Sequence, residues 1–79
     1  MIGIIGAMDK ELFLFFEEMT IESTDIYGGK TFYVGKIRNH HVVVVKSGIG
    51  KVNAAITTTI LATHYNARII INTGIAGGL

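Results

Sequence analysis

Glu11 is the residue of this chain with the clearest potential for acid–base chemistry. It lies shortly after the apolar run 1–6 (MIGIIG), which has the character of a buried strand. A carboxylate just beyond the end of a central strand can orient a water molecule as a general base. The same residue type in the first turn of a helix also interacts favourably with the helix dipole. From its position alone, both interpretations of Glu11 stay open.

A second candidate site is the turn Gly48-Ile49-Gly50, which follows four consecutive valines. Its glycines allow a ligand to approach the backbone closely, and a strand, a glycine turn and a helix start often bind small molecules or anions. A dinucleotide fingerprint would need Gly or Ala where the chain has Asn53, and an acid where it has Asn72. A P-loop would need Ser or Thr where it has Val52. Both nucleotide interpretations are disfavoured, and a plain strand-to-helix turn remains the alternative.

The third candidate is the glycine-rich segment 72–78, which follows the apolar run 67–71. Open α/β sheets bind ligands at the carboxyl ends of their strands, and backbone amides there can hold a ring or an anion. The segment can equally be a simple connection. The adjacent His40 and His41 point to opposite sides of an extended chain, so a shared metal is disfavoured.

The hydrophobic pattern predicts an α/β chain in which each candidate segment follows a strand. Apolar residues at three- and four-residue spacing after Asp9, the predicted N-cap, indicate a helix. Gly28-Gly29 is typical of a hairpin, and the four valines are typical of a strand buried on both faces. The predicted elements are strand 1–6, helix 9–19, strand 24–28, strand 31–37, strand 41–46, helix 50–65 and strand 67–71.

Composition narrows the class of protein. The chain has 79 residues, of which 49% are hydrophobic and 16% charged, so it forms at most one domain and is apolar for its size. We therefore expect it to pack against a second subunit or further chain. A net charge of +1 disfavours nucleic-acid and membrane partners, and the absence of cysteine excludes disulfides and thiolate metal sites. No signal peptide or membrane span is evident, so we expect a soluble cytoplasmic protein with no metal and no cofactor.

Three segments together resemble one family. GIIGAMDKE (3–11), KSGIGKVNAA (46–55) and INTGIAGGL (71–79) are similar, in order and spacing, to the N-terminal third of 5′-methylthioadenosine/S-adenosylhomocysteine nucleosidases. These enzymes belong to the purine nucleoside phosphorylase/nucleosidase superfamily. The resemblance implies a three-layer α/β/α sandwich around a mixed sheet, incomplete in this chain. Residues 1–79 would be the N-terminal segment of a single nucleosidase/phosphorylase-like domain, which is usually a homodimer.

The resemblance also implies an activity, namely hydrolysis of the N-glycosidic bond of 5′-methylthioadenosine and S-adenosylhomocysteine with release of adenine. In such enzymes an Asp protonates adenine and a Glu holds the ribose hydroxyls, and both come from the C-terminal half. We therefore expect the 79 residues alone to be inactive. The implied site residues are Glu11, which would position the attacking water, Met8 and Ile49 beside the ribose and 5′-alkylthio group, and Ile75, Ala76 and Gly77 beside the purine.

One departure from the family pattern bears on the reaction type. Ile75 stands where the family commonly has serine, so a hydroxyl is lost, and no arginine lies near 6–11. Phosphorylases need cationic and hydroxyl groups to hold phosphate, whereas Glu11 would repel phosphate and orient water. The pattern favours a hydrolase. A phosphorylase of the same superfamily, and a non-catalytic nucleoside-binding or interaction module, remain alternatives.

Overall fold

A computed structural model of the chain describes residues 1–73, which form a five-stranded mixed sheet and two helices. The strand order is β2-β3-β4-β1-β5; β1 pairs in parallel with β4 and β5, whereas β3 pairs antiparallel with β2 and β4. The elements are β1 (Ile2–Gly6), α1 (Asp9–Glu18), β2 (Thr20–Tyr27), β3 (Lys30–Ile37), β4 (His40–Lys46), α2 (Lys51–His64) and β5 (Ile69–Asn72).

The two helices cover opposite faces of the sheet. The chain leaves β1 through α1 towards the β2 edge, and it leaves β4 through α2 towards the β5 edge. Right-handed crossovers that run in opposite directions lie on opposite faces. Leu12 of α1 packs with Ile4 and Val44 on one face, and Leu61 of α2 packs with Ile5 on the other. The predicted α/β class, with helices on both faces of a mixed sheet, is confirmed.

The central strand β4 has the environment that its valines predicted. Val42, Val43, Val44 and Val45 are all buried. Because β4 lies between β3 and β1 and has a helix on each face, side chains pointing either way leave the solvent. A run of apolar residues without alternation is therefore stable there.

Two local predictions were wrong. Strand β2 begins at Thr20 instead of near residue 24, and its polar residues are tolerated because it is an edge strand with mostly exposed side chains. Helix α1 has Met8 as its N-cap, in an extended conformation, so Asp9 is the first helical residue. Within residues 1–73, neither helix is long and apolar enough to cross a membrane.

Candidate functional site

The three candidate segments begin side by side at one end of the sheet, where its parallel strands have their carboxyl ends. The Ser47 amide donates a hydrogen bond to the Gly6 carbonyl (2.9 Å), and the Thr73 amide donates one to the Ile5 carbonyl (2.8 Å). The carboxyl ends of β4, β1 and β5 are therefore adjacent. After β1 the chain turns to the α1 face, and after β4 it turns to the α2 face. In open α/β sheets such a divergence is a topological switch point, and ligands bind beyond the strand ends there; we call the region between these two loops the switch-point crevice.

Glu11 is fixed at the β1 side of the switch-point crevice. It is the third residue of α1 and is half-buried. Its Oε1 accepts hydrogen bonds from the backbone amides of Ala7 (2.7 Å) and Met8 (3.1 Å). These amides belong to the loop that leaves β1, so the carboxylate stays at the strand end instead of pointing along the helix. Glu11 therefore stabilises the start of α1 and also lies where a general base would be needed.

The position of Glu11 depends on the close approach of α1 to β1. A Cβ atom built on Gly6 would lie 2.7 Å from Leu12 Cδ2 and 3.1 Å from Thr73 Oγ1. Glycine at this position lets Leu12, which is buried, pack directly on the strand backbone. Because Leu12 follows Glu11 in the chain, this contact sets the height of the first helical turn above the sheet.

The loop after β4 presents Ile49 on the other side of the switch-point crevice. Gly48 and Gly50 have φ values of 80° and 113°, which residues other than glycine rarely adopt. Asn53 Nδ2 donates to the Ile49 carbonyl (2.9 Å), so the first turn of α2 holds the loop. The Ile49 side chain is 77% exposed. The loop thus offers an apolar side chain to a ligand above the strand ends.

A cleft of about 390 Å³ adjoins these loops on the side of the β2–β3 hairpin. Lys46 Nζ lies 3.3 Å from Asp9 Oδ1 in this cleft, and their side chains are 50% and 87% exposed. Lys30 Nζ donates to Asn53 Oδ1 (3.3 Å), which joins the hairpin to the Ile49 loop. Leu12 and Phe16 form an apolar part of the cleft wall, and its polar residues are Asp9, Lys30, Thr31, Tyr33, Lys46 and Ser47. We call it the charged cleft.

The predicted site residues fall in two groups. Met8 and Ile49 lie on the loops that follow the neighbouring strands β1 and β4, and Glu11 lies in the first turn of α1; the Ser47–Gly6 hydrogen bond holds the ends of the two strands together. The predicted purine-side residues lie outside the described residues, namely Ile75, Ala76 and Gly77. Among residues 1–73, no group of three His, Cys, Asp or Glu side chains could hold a metal ion.

Lys30 and Asn53 also lie in this region and are not among the predicted site residues. The role of Asn53 had a local signal, because a side chain in the first turn of a helix can reach a loop carbonyl four residues earlier. Lys30 had none, because it is 23 residues away from Asn53 in the chain. Only the packing of the hairpin against the start of α2 brings this lysine to the site.

Comparison with known proteins identifies the family. The whole chain, residues 1–79, matches the family described as the phosphorylase superfamily. The chain belongs to this superfamily. It is 54% identical over 78 residues to the 5′-methylthioadenosine/S-adenosylhomocysteine nucleosidase of Listeria welshimeri, a match that covers 99% of this chain and 34% of that protein. The chain therefore spans about a third of the length of the curated relatives it matches.

Solved structures of a nucleosidase and of a futalosine hydrolase share the fold. The Streptococcus pneumoniae 5′-methylthioadenosine/S-adenosylhomocysteine nucleosidase in complex with 8-aminoadenine is similar with a TM-score of 0.84 and 41% identity, over 90% of this chain and 32% of that chain. Futalosine hydrolase of Helicobacter pylori is similar with a TM-score of 0.81 and 30% identity, over 90% of this chain and 31% of that one. The resemblance inferred from the three segments is confirmed.

Proposed function

We propose that the full-length protein carrying this chain hydrolyses the N-glycosidic bond of 5′-methylthioadenosine and S-adenosylhomocysteine and releases adenine. The observation that carries this proposal is the Glu11 carboxylate, which two backbone amides hold at the carboxyl end of β1 in the switch-point crevice. The similarity to nucleosidases over nearly the whole chain supports the same reaction class.

In this mechanism Glu11 orients the attacking water. The bond from ribose C1′ to adenine N9 breaks and leaves oxocarbenium character on the ribose, while the water oxygen bonds to C1′. Glu11 accepts the proton that the water loses, and the purine takes up a proton from an acid supplied elsewhere in the protein. Because backbone amides already hold the carboxylate, little ordering remains at the moment of reaction.

The substrate-binding proposal extends to both loops. Met8 and Ile49 expose apolar side chains on either side of the switch-point crevice, which suits a 5′-thioether. Ile75, Ala76 and Gly77 remain our proposal for the purine side.

We also propose that the protein forms a homodimer through α2. Ile49, Val52 and Ile56 recur at helical spacing and are 77%, 73% and 44% exposed. They form an apolar ridge beside the nucleoside site, and burial against a second copy would remove it from water. A partner on this ridge would also stand next to the 5′ end of the substrate.

Adenine release by the full-length protein tests the reaction. We expect Glu11→Gln to lower kcat by about 10²–10⁴-fold, because the amide keeps an oxygen acceptor for the Ala7 and Met8 amides but is no base. Glu17→Gln, an exposed change on the same helix, is the matched control and should retain activity. We expect residues 1–79 alone to release no adenine. Equal activity of the two variants would refute the assignment of Glu11.

A phosphorylase is the second candidate, and the charged cleft favours it. Lys46 and Thr31 line this cleft with an ammonium and a hydroxyl group of the kind that bind phosphate. Phosphate-dependent formation of a ribose 1-phosphate product would decide for this reaction. Formation of the free sugar at the same rate with and without phosphate would decide for hydrolysis.

A further inference from the structure

We propose that Lys30 is a positioning residue for the substrate's 5′ contact. It fixes the side-chain amide of Asn53, which in turn holds the backbone of the loop that carries Ile49. The inference rests on the proposed function, in which Ile49 contacts the 5′-alkylthio group, and it deepens that function by naming the residues that set this contact. Lys30 acts through Asn53 and does not itself touch the substrate.

The Ile49 side chain is placed by the backbone of its loop. It is 77% exposed, so packing against the described part of the chain does little to fix it. Its neighbours Gly48 and Gly50 both have positive φ values, and glycine has the greatest backbone freedom of any residue. The hydrogen bond from Asn53 Nδ2 to the Ile49 carbonyl (2.9 Å) therefore holds the loop at the point where its backbone is otherwise most free.

The Asn53 amide has partners that require one orientation. An amide oxygen only accepts hydrogen bonds and an amide nitrogen only donates them. The half-buried Lys30 ammonium only donates, and it lies 3.3 Å from Asn53 Oδ1. A flipped amide would turn its NH₂ group towards the ammonium and its oxygen towards the Ile49 carbonyl, and both contacts would be repulsive. The charge of Lys30 thus selects the orientation that holds the loop.

The hairpin formed by β2 and β3 presents Lys30 from a fixed support. Four pairs of residues join this hairpin to α2, in order from the C-terminal end of the helix to its first turn: Tyr65 with Asp25, His64 with Tyr27, Ile60 with Gly28, and Asn53 with Lys30. Three of the four pairs do not involve Lys30. Loss of its side chain therefore releases the Asn53 amide and leaves the hairpin attached to the helix.

The first test compares kcat/KM for 5′-methylthioadenosine with kcat/KM for 5′-deoxyadenosine, which lacks the methylthio group, in the full-length protein. We expect Lys30→Met to lower this ratio about three-fold, the effect of one hydrogen bond. The change should be in KM for 5′-methylthioadenosine, because the methylthio group does not react. Lys30→Arg keeps a charged N–H donor and should preserve the ratio. Lys36→Met is the matched control, since it removes the same charge from an exposed position near the other end of β3.

Asn53→Asp separates the two hydrogen bonds of the amide. The carboxylate still accepts from Lys30, and a negative charge in the first turn of α2 interacts favourably with the helix dipole. It has no donor for the Ile49 carbonyl and repels that oxygen. We therefore expect the free energy of unfolding to be unchanged or higher, while the substrate ratio falls about ten-fold, as for loss of a small apolar contact. A residue that only stabilised the fold would not lower the ratio in a protein of undiminished stability.

Amide hydrogen exchange, measured by mass spectrometry on the full-length protein, reports on the loop without relying on catalysis. Lys30→Met should raise exchange in residues 47–53 and leave the segment around Glu11 unchanged. If an active protein shows the same substrate ratio in wild type, Lys30→Met and Asn53→Asp, the inference is overturned and the proposed function stands. If the wild-type protein cleaves neither nucleoside, the proposed function fails and the positioning of a 5′ contact fails with it, whereas the exchange result still decides whether Lys30 holds the loop.

Discussion

Gly6→Ala offers a sharp test of how the fold positions Glu11. The added methyl carbon would lie 2.7 Å from Leu12 Cδ2 and 2.8 Å from Leu12 Cγ. Carbon atoms in proteins do not approach this closely, so Leu12 has to move. Rotation of its terminal methyl groups does not relieve the contact with Cγ, and the side chain is 1% exposed and has no solvent to move into. The first turn of α1 must therefore rise from the sheet.

Gly3→Ala is the matched control on the same strand. Its methyl carbon would meet Leu61 Cδ1 at 2.9 Å and Leu61 Cδ2 at 3.3 Å, on the α2 face of the sheet. Leu61 is also buried, but only the two terminal atoms of its side chain are met and its Cγ lies farther away, so a smaller shift relieves the overlap. Overpacking costs about 1–3 kcal/mol, and we expect Gly6→Ala near the top of this range and Gly3→Ala near the bottom.

The assays are urea unfolding and steady-state adenine release by the full-length protein. Because Glu11 precedes Leu12, a shift of α1 by about 1 Å displaces the carboxylate and should lower kcat by about 100-fold in Gly6→Ala. Gly3→Ala should retain its activity per folded molecule. The reasoning is refuted if Gly6→Ala is as stable as the wild type, or if both variants lose activity equally.

Two further predictions concern α2 and its end. Burial and the hydrogen bond that Tyr65 donates to Asp25 (2.6 Å) raise the pKa of the Tyr65 hydroxyl above its usual range. The stability that this hydroxyl contributes is therefore fully present below the unfolded-state pKa of about 10 and is lost as pH rises beyond it. In the variant Tyr65→Phe, the free energy of unfolding, measured in urea at a series of pH values, should fall less at alkaline pH. Val52→Glu should convert the proposed dimer to a monomer in analytical ultracentrifugation, whereas Thr58→Glu, exposed on another side of α2, should not. A dimer that survives Val52→Glu would place the interface elsewhere.

A strand could be predicted from the sequence where both of its faces are buried along its length. Four β-branched residues in β4 are compatible only with burial on both faces, so the pattern located the centre of the sheet. Strand β2 could not be bounded in this way, because an edge strand with a bulge between Ile21 and Ser23 keeps neither a continuous nor an alternating apolar pattern. The start of β2 depends instead on Gly35 of the neighbouring strand. A Cβ on Gly35 would collide with the Thr20 carbonyl, so the glycine in β3 allows the first residue of β2 to lie close to its backbone.

The same distinction applies to the candidate site. Glu11 could be predicted because its partners, the Ala7 and Met8 amides, lie within four residues of it in the chain. The link from Lys30 to Asn53 could not, since it requires the hairpin to fold over the start of α2. Local contacts place the carboxylate proposed to orient water, and a long-range contact braces Asn53, which holds the loop that carries Ile49. Loss of the Lys30 side chain should therefore loosen the Ile49 loop without moving the carboxylate of Glu11.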